Sequence, residues 1–497
     1  MSNDDIKFLG GYTGGVTPVP IPNTEVKLSW ADDTMTERSW ESRTSPGYFV
    51  SPSPLQVMGF FIMRTFRVHA ILPIMRFIAD LHVHSHYSRA TSNDMSPEGI
   101  GKWAQIKGIT VIGTGDFTHP QWLRELHEKL DSAGNGLFTL KKEFQAHDVP
   151  ASCKADAYFI LSAEVSCIYS KNGKTRKIHS IILVPDFASA ARLNLALTKI
   201  GNLNADGRPI LGLDVKELLN IALDVSPDNL LIPAHAWTPH FSVFGAASGF
   251  DSLEECFEDL TPHIYAIETG LSSDPQMNWR LSALDRITLV SNSDAHSAAK
   301  IGREANILDT EISYSSLVDA IKKRKGFLGT IEFFPEEGKY HYDGHRDCGV
   351  SLSPKETIHH DYRCPVCGRK VTVGVMHRVE KLADRKEGFR LLGAPAYFSS
   401  IPLSEIIAEG LKVGVNTKKV NATYFPMLEK LGNEFKILMN VPLDEIERAS
   451  SPLIREAISR MRTGDVHIAP GYDGAYGKVR IFEEVERKEI KGQMKLL

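Results

Sequence analysis

The sequence is short of cysteine, of net charge and of long apolar runs, and each shortage excludes something. Six cysteines in 497 residues are too few and too uneven for a disulfide-held secreted scaffold. Cys153, Cys167 and Cys256 are scattered, whereas Cys348, Cys364 and Cys367 lie close together, which suits metal ligation in a reducing, cytoplasmic setting. A net charge of −4 advertises no global basic field, so any nucleic-acid contact must rest on local patches. The longest apolar stretch, residues 58–75, is broken by Arg64, Arg67 and His69. It is too charged and too short to span a membrane, and a signal peptide would place its apolar segment earlier. No internal repeat is visible.

What is present begins with size. A chain of 497 residues with 42% apolar side chains has room for roughly three domains with ordinary cores. Residues 1–54 are rich in Gly, Pro, Ser and Thr with no sustained period, and residues 1–74 are expected to form a disordered extension. Met75 directly precedes the first strand-like run, so the folded part, or the chain itself, is expected to start there.

From Met75 onward, apolar runs at 77–81, 110–114, 157–161, 178–184, 230–233, 264–267 and 287–290 alternate with helical patterns, as βα units do. The helical patterns lie at 97–107, 121–130, 188–200, 214–223 and 253–260, with a last one at 314–324. The first run ends in Asp80, His82 and His84. The two histidines share a face about 7 Å apart, within reach of one ion. Asp116 with His119, Glu164, His235, Glu268, and Asp294 with His296 follow five of the other runs, and His179 sits near the start of the 178–184 run. Parallel βα repeats closing into a barrel would bring these ends to one face. The expected fold is α/β, a distorted seven-stranded barrel. Its donors are imidazoles and carboxylates without thiolates, a set for zinc, manganese or magnesium. More donors than one ion needs imply a second, and two adjacent ions suit phosphoester hydrolysis.

Past the barrel, His345-Arg-Asp-Cys348 and Cys364-Pro-Val-Cys367-Gly make a Cys3His set with the spacing of a structural zinc ribbon. His341, His359 and His360 compete with His345 for the fourth position. Residues 363–390 carry eight basic side chains against three acidic, a patch able to track phosphates. Arg369, Lys370, Arg378, Lys381 and Arg385 are its candidate DNA contacts, with Arg89 and Arg303 beside the barrel donors. Tyr340, Tyr342 and Tyr362 bracket the module and are placed to stack on bases. The rest, 402–482, reads mostly as helices at 403–411, 423–431, 443–449 and 453–462, with no catalytic cluster.

The motifs D-L-H-V-H-S (80–85), T-G-D-F-T (114–118), A-E (163–164), P-A-H-A (233–236) and N-S-D-A-H (292–296) resemble the PHP metallohydrolases. That likeness implies one ion on His82, His84, Glu164 and Asp294, and a second on Glu164, His179 and His235. The family's third site is incomplete: Ala90-Thr91 and Phe117 stand where its ligands belong, and His296 and His119 are what remains. H-R-D-C-G-V-S-L (345–352), C-P-V-C-G (364–368) and V-G-V-M-H-R-V-E-K-L-A-D-R (373–385) narrow the resemblance to the endonuclease Q family. It implies a PHP barrel at 75–334, a zinc module at 335–400 and a mainly helical domain at 401–497. It also implies incision 5′ to uracil, hypoxanthine, xanthine or abasic sites in DNA, with Asp294, Glu164 and His296 carrying the chemistry. The zinc is expected to be structural and also catalytic, with magnesium or manganese as alternatives in the barrel. The expected partners are damaged DNA and a sliding clamp, the expected state is a monomer, and no membrane is involved. Two other readings are a small-molecule phosphoesterase of histidinol-phosphatase type and an inactive DNA-binding PHP protein.

Overall fold

The computed structural model describes residues 76–487; the extension expected over 1–74 and the choice of Met1 or Met75 as start lie outside them. The strand Arg76–Asp80 is central. It runs parallel to Val111–Gly113 on one side and antiparallel to Ala305–Asp309 on the other. Beyond Val111–Gly113 the sheet continues through Tyr158–Lys171, Lys174–Val184 and Leu230–Pro233. Ala266–Glu268 and Thr288–Val290 form a separate parallel pair. On the opposite flank come Phe327–Glu332 and Ala396–Ser399.

All seven expected runs carry strand, but they are not all parallel. Tyr158–Lys171 and Lys174–Val184 form one long antiparallel hairpin. Its two-residue link, Asn172-Gly173, has φ of 55° and 71°, the left-handed pair that a type I′ hairpin turn needs. The reversal explains an oddity of the sequence. His179 stands near the start of the apolar run 178–184, and because the strand Lys174–Val184 runs backwards, that end of the run lies at the donor face. The register puts Glu164 opposite Ile181 and Ser166 opposite His179, so Glu164 and His179 are diagonal neighbours on one face.

Several strands went unread in the sequence, among them Ala305–Asp309, Phe327–Glu332 and Ala396–Ser399. Ala305–Asp309 is buried yet polar at Asn306, whose amide nitrogen donates to Ala79 O (3.2 Å) and Ser291 O (2.8 Å). A side chain that ties three strands together looks, in sequence, like a loop residue.

The helices start and stop where their caps dictate. Pro97–Lys107 opens on Ser96, whose side chain accepts from Gly99 N, and closes on Gly108 at φ 89°. Leu403–Leu411, Lys418–Leu431, Glu434–Met439, Leu443–Ala449 and Pro452–Thr463 build the C-terminal helical part. Its apolar faces join the barrel's own core cluster, Phe435 and Ile437 among them. A buried ionic clasp reinforces the junction. Glu434 accepts from Lys107 Nζ (2.8 Å), Leu403 N (3.1 Å) and the Tyr424 hydroxyl.

Between them lies the small module, with Asp343–His345 paired to Val350–Leu352 and helices at Pro354–His359 and Val375–Leu382. The strand Ala396–Ser399 that ends this stretch belongs to the barrel's sheet. Among the described residues, no helix is long and apolar enough to cross a membrane.

Candidate metal centre

Two donor sets share Glu164 at the strand ends. His82, His84, Glu164 and Asp294 bring their donor atoms within 4.8 Å of one another, as do Glu164, His179 and His235. His84 Nε2 lies 3.0 Å from Asp294 Oδ1 and 3.3 Å from Glu164 Oε2. On the other side, His179 Nδ1 and His235 Nε2 stand 2.8 and 3.0 Å from Glu164 Oε1.

An outer layer of carboxylates fixes the imidazoles. Glu268 accepts from His82 Nδ1 (3.1 Å), from His235 N (2.8 Å) and from Asn292 Nδ2 (2.9 Å). Asp116 accepts from His84 Nδ1 (3.0 Å) and from the amide and hydroxyl of Ser85 (both 2.7 Å). With Nδ1 carrying the proton in each ring, Nε2 of His82 and His84 presents its lone pair inward. Asp116 and Glu268, both expected as ligands, therefore lie one layer out, because their oxygens are already committed to holding other donors.

The backbone is strained where it delivers these groups. Asp116, His235 and Asp294 have φ of 50°, 31° and 46°, a region costly for residues with a side chain. Gly270 is obligatory beneath His235: its φ is 58°, and a Cβ there would stand 2.6 Å from His235 Cβ.

The electrostatics call for positive charge. Burial alone would depress the His82 and His84 imidazoles. The carboxylates around them, led by Glu268 for His82 and Asp116 for His84, instead hold both well above the ordinary range. Glu164 and Asp294, which burial would push up, are held below the carboxylate range by the facing histidines. His82 Nε2 is buried without any hydrogen-bond partner, so a ligand atom stands unused. A divalent cation fits this donor set, replacing the protons that the imidazoles otherwise retain.

His296 borders the first set, its Nδ1 3.7 Å from Asp294 Oδ1 and its ring 4.4 Å from that of His84. His119 is not gathered in. It caps the helix Pro120–Lys129 and stacks on Tyr87. Arg208 was missed in the sequence, since it comes from a loop outside the strand-end pattern. Its NH1 donates to Glu164 Oε2 at 2.9 Å.

In the small module, His345, Cys348, Cys364 and Cys367 converge within 4.8 Å. His345 Nδ1 lies 3.6 Å from Cys367 Sγ, and Gly368, at φ 71°, turns its amide back to Cys364 O (2.8 Å). Burial would raise the Cys364 thiol, but the amides of Cys367 and Val366 bring it below its ordinary value, as a thiolate ligand requires. Of the competing histidines, His341 is buried apart from this set and His359 packs on His360.

The expected DNA contacts divide. Arg369, Lys370 and Lys381 are exposed, and Arg89 is largely exposed beside Asp206. Arg378 is only 7% exposed and donates to Phe244 O, Phe250 O and Asp251. Arg385 forms a two-pronged pair with Asp285, and Arg303 braces the carbonyls of Ser293 and Asp294. These three guanidiniums are already engaged by carbonyls and carboxylates of the barrel loops, Arg378 buried and Arg303 and Arg385 half-buried.

Fold and donor sets define a PHP-type α/β protein with candidate divalent-metal sites. The PHP-associated family matches residues 279–325 and the MJ0043 C-terminal domain family residues 402–465. Among solved structures, the lesion-specific endonuclease PfuEndoQ of Pyrococcus furiosus is 30% identical, with a TM-score of 0.72 over 83% of this chain and 97% of its own. An endonuclease Q complex with a 27-mer duplex bearing an abasic lesion at the active site is also 30% identical, with a TM-score of 0.71 over 83% of this chain and 98% of its own. The chain belongs to the endonuclease Q family. An uncharacterised Bacillus subtilis protein, YqxK, is 27% identical over 76% of this chain and 90% of its own length. A Methanocaldococcus jannaschii protein, MJ0043, is 32% identical over 49% of this chain, which spans 31% of that longer protein.

Proposed function

We propose that the protein is a metal-dependent DNA endonuclease of damage repair. It hydrolyses the phosphodiester 5′ to deaminated bases (uracil, hypoxanthine, xanthine) or abasic sites. The observation that carries this reading is Glu164 shared by two donor sets in a chain of this family. The lesion specificity of PfuEndoQ and the abasic duplex in the related complex support DNA as substrate.

His82, His84, Glu164 and Asp294 would hold one ion, and Glu164, His179 and His235 the other, as zinc, manganese or magnesium. Bound there, two divalent ions supply the Lewis acidity that activates water and stabilises the leaving 3′-oxygen. The chain's own part is to present and orient. Glu268 and Asp116 keep the imidazole lone pairs aimed inward, and Asp294 and Glu164 supply compensating negative charge. Arg208, beside Glu164, offers a guanidinium to the scissile phosphate. His296, which burial and the neighbouring His84 hold below its ordinary value, is a neutral imidazole at the rim able to accept a proton. His345, Cys348, Cys364 and Cys367 would hold a structural zinc.

A labelled duplex with one deoxyuridine, incubated with protein and Mg2+, Mn2+ or Zn2+, should be nicked once, on the 5′ side. Asp294→Ala should abolish nicking while DNA binding persists. Hydrolysis of a phosphomonoester with no nicking of any lesion duplex would replace this reading with the small-molecule phosphatase.

A further inference from the structure

Beside its Cys3His set and apart from the barrel donors, the small module contains a line of hydrogen-bonded side chains that none of the three donor sets uses. Fully buried Asp343 accepts from Gly374 N through Oδ1 (2.7 Å) and from His377 Nδ1 through Oδ2 (2.7 Å). With its proton fixed on Nδ1, His377 accepts at Nε2 from the Tyr362 hydroxyl, 3.3 Å away. The line runs from the interior to the surface and ends in an aromatic ring that is 44% exposed.

The backbone beneath that ring is costly. Asp361 and Tyr362 stand in succession at φ of 49° and 60°, a region that aspartate tolerates but where a bulky tyrosine is an outlier. Such strain persists only when the surroundings impose it. The imposed result is a half-exposed tyrosine held through its hydroxyl by His377, whose ring lies 5.2 Å away at 57°. The same knuckle carries exposed Arg369 and Lys370, and the backbones of Arg363 and Lys370 form an antiparallel bridge across it. An exposed, immobilised aromatic ring beside cations is the combination that stacks on a base while neighbouring charges hold its phosphates. Tyr342, by contrast, packs on His341 and bridges to Tyr472.

We propose that Tyr362 is a stacking platform for an unpaired base of bound DNA, with His377 and Asp343 as its positioning residues. The proposal rests on the DNA reading above and adds the place where a base is held. The full chain, with its metals, is titrated against a single-stranded oligonucleotide containing 2-aminopurine, whose fluorescence falls on stacking. Nicking of the deoxyuridine duplex and zinc content are measured in parallel.

Tyr362→Leu is expected to bind about tenfold more weakly and to lose the quenching, with zinc content unchanged. His377→Ala should weaken binding in the wild-type background and add nothing to Tyr362→Leu, a coupling that a merely structural role would not produce. Unchanged affinity and quenching in Tyr362→Leu, with the parent still nicking, would overturn the platform and leave the nuclease reading standing. A parent that neither binds nor nicks DNA would overturn both. If Tyr362→Leu loses zinc, Tyr362→Phe decides, since it keeps the ring and gives up only the bond to His377. Quenching retained at saturation with binding weakened as in His377→Ala supports the platform, and quenching lost at saturation overturns it.

Discussion

Glu268 separates a ligand from an orienter, and Glu268→Gln tests which it is. Each carboxylate oxygen serves donors that cannot reverse. Oε1 accepts from Asn292 Nδ2 (2.9 Å) and Oε2 from His235 N (2.8 Å), while His82 Nδ1 lies 3.1–3.2 Å from both. Asn292 cannot turn its oxygen toward an amide, because that oxygen already accepts from Leu81 N (2.8 Å) and Asn306 Nδ2 (2.9 Å). The backbone amide of His235 cannot turn at all. In either orientation, therefore, glutamine sets an N–H2 against a buried N–H. His82 Nδ1–H then faces the N–H2 as well as the one remaining oxygen, which loosens the hold on the ring and on the aim of its Nε2 lone pair. A buried donor left unpaired costs about 1–3 kcal/mol, or roughly 5- to 150-fold in an equilibrium constant. Loss of an orienting partner typically costs 10- to 100-fold in metal affinity. Competition titration should show that weakening while elemental analysis shows the same number of ions at saturation. Unchanged affinity would refute the orienting role, and loss of one whole ion would make Glu268 a ligand after all.

Replacing Cys364 and Cys367 with Ser should remove one zinc equivalent and up to about 10 kcal/mol of metal-coupled folding, seen as new protease cleavage confined to residues 340–375. Glu434→Ala strands a buried Lys107 ammonium and should destabilise the junction between the C-terminal helices and the barrel by about 3–5 kcal/mol, measured by denaturant unfolding. Burial pushes Glu332 from 4.5 up to about 8. Between those pH values the folded state binds more protons than the unfolded one, so this group erodes stability as pH rises. Glu332→Gln should flatten the fall in melting temperature between pH 6 and pH 8.5; an unchanged slope would count against it.

The sequence showed most of the donor set because ligands at strand ends are spaced by the chain's own geometry. His82 and His84 sit two apart on one strand, and the others follow buried runs. It showed less well what each donor does. Asp116 and Glu268 have the right chemistry in the right places, and only their hydrogen bonds reveal that they face imidazoles. Arg208 was illegible because a loop residue takes its meaning from where the loop folds. The hairpin was legible, since Asn172-Gly173 between strand-like runs is a turn signal; the regular βα alternation on either side of it masked the reversal. Arg378 and Arg385 read as DNA contacts in the sequence because composition cannot tell a guanidinium in water from one engaged by the protein's own carbonyls.

The hairpin also staggers how the centre assembles. Glu164 and His179 are joined by a two-residue turn, whereas His84 and Asp294 meet across 210 residues of chain. Closing a short loop sacrifices less chain entropy than closing a long one, so two of the three members of one donor set are expected together before the other set exists. Pulse-labelled hydrogen exchange during refolding should protect the amides of 160–183 ahead of those around Asp294. A divalent ion present from the start would then meet a partial cradle first, and its capture there would bias the order in which the remaining strands arrive.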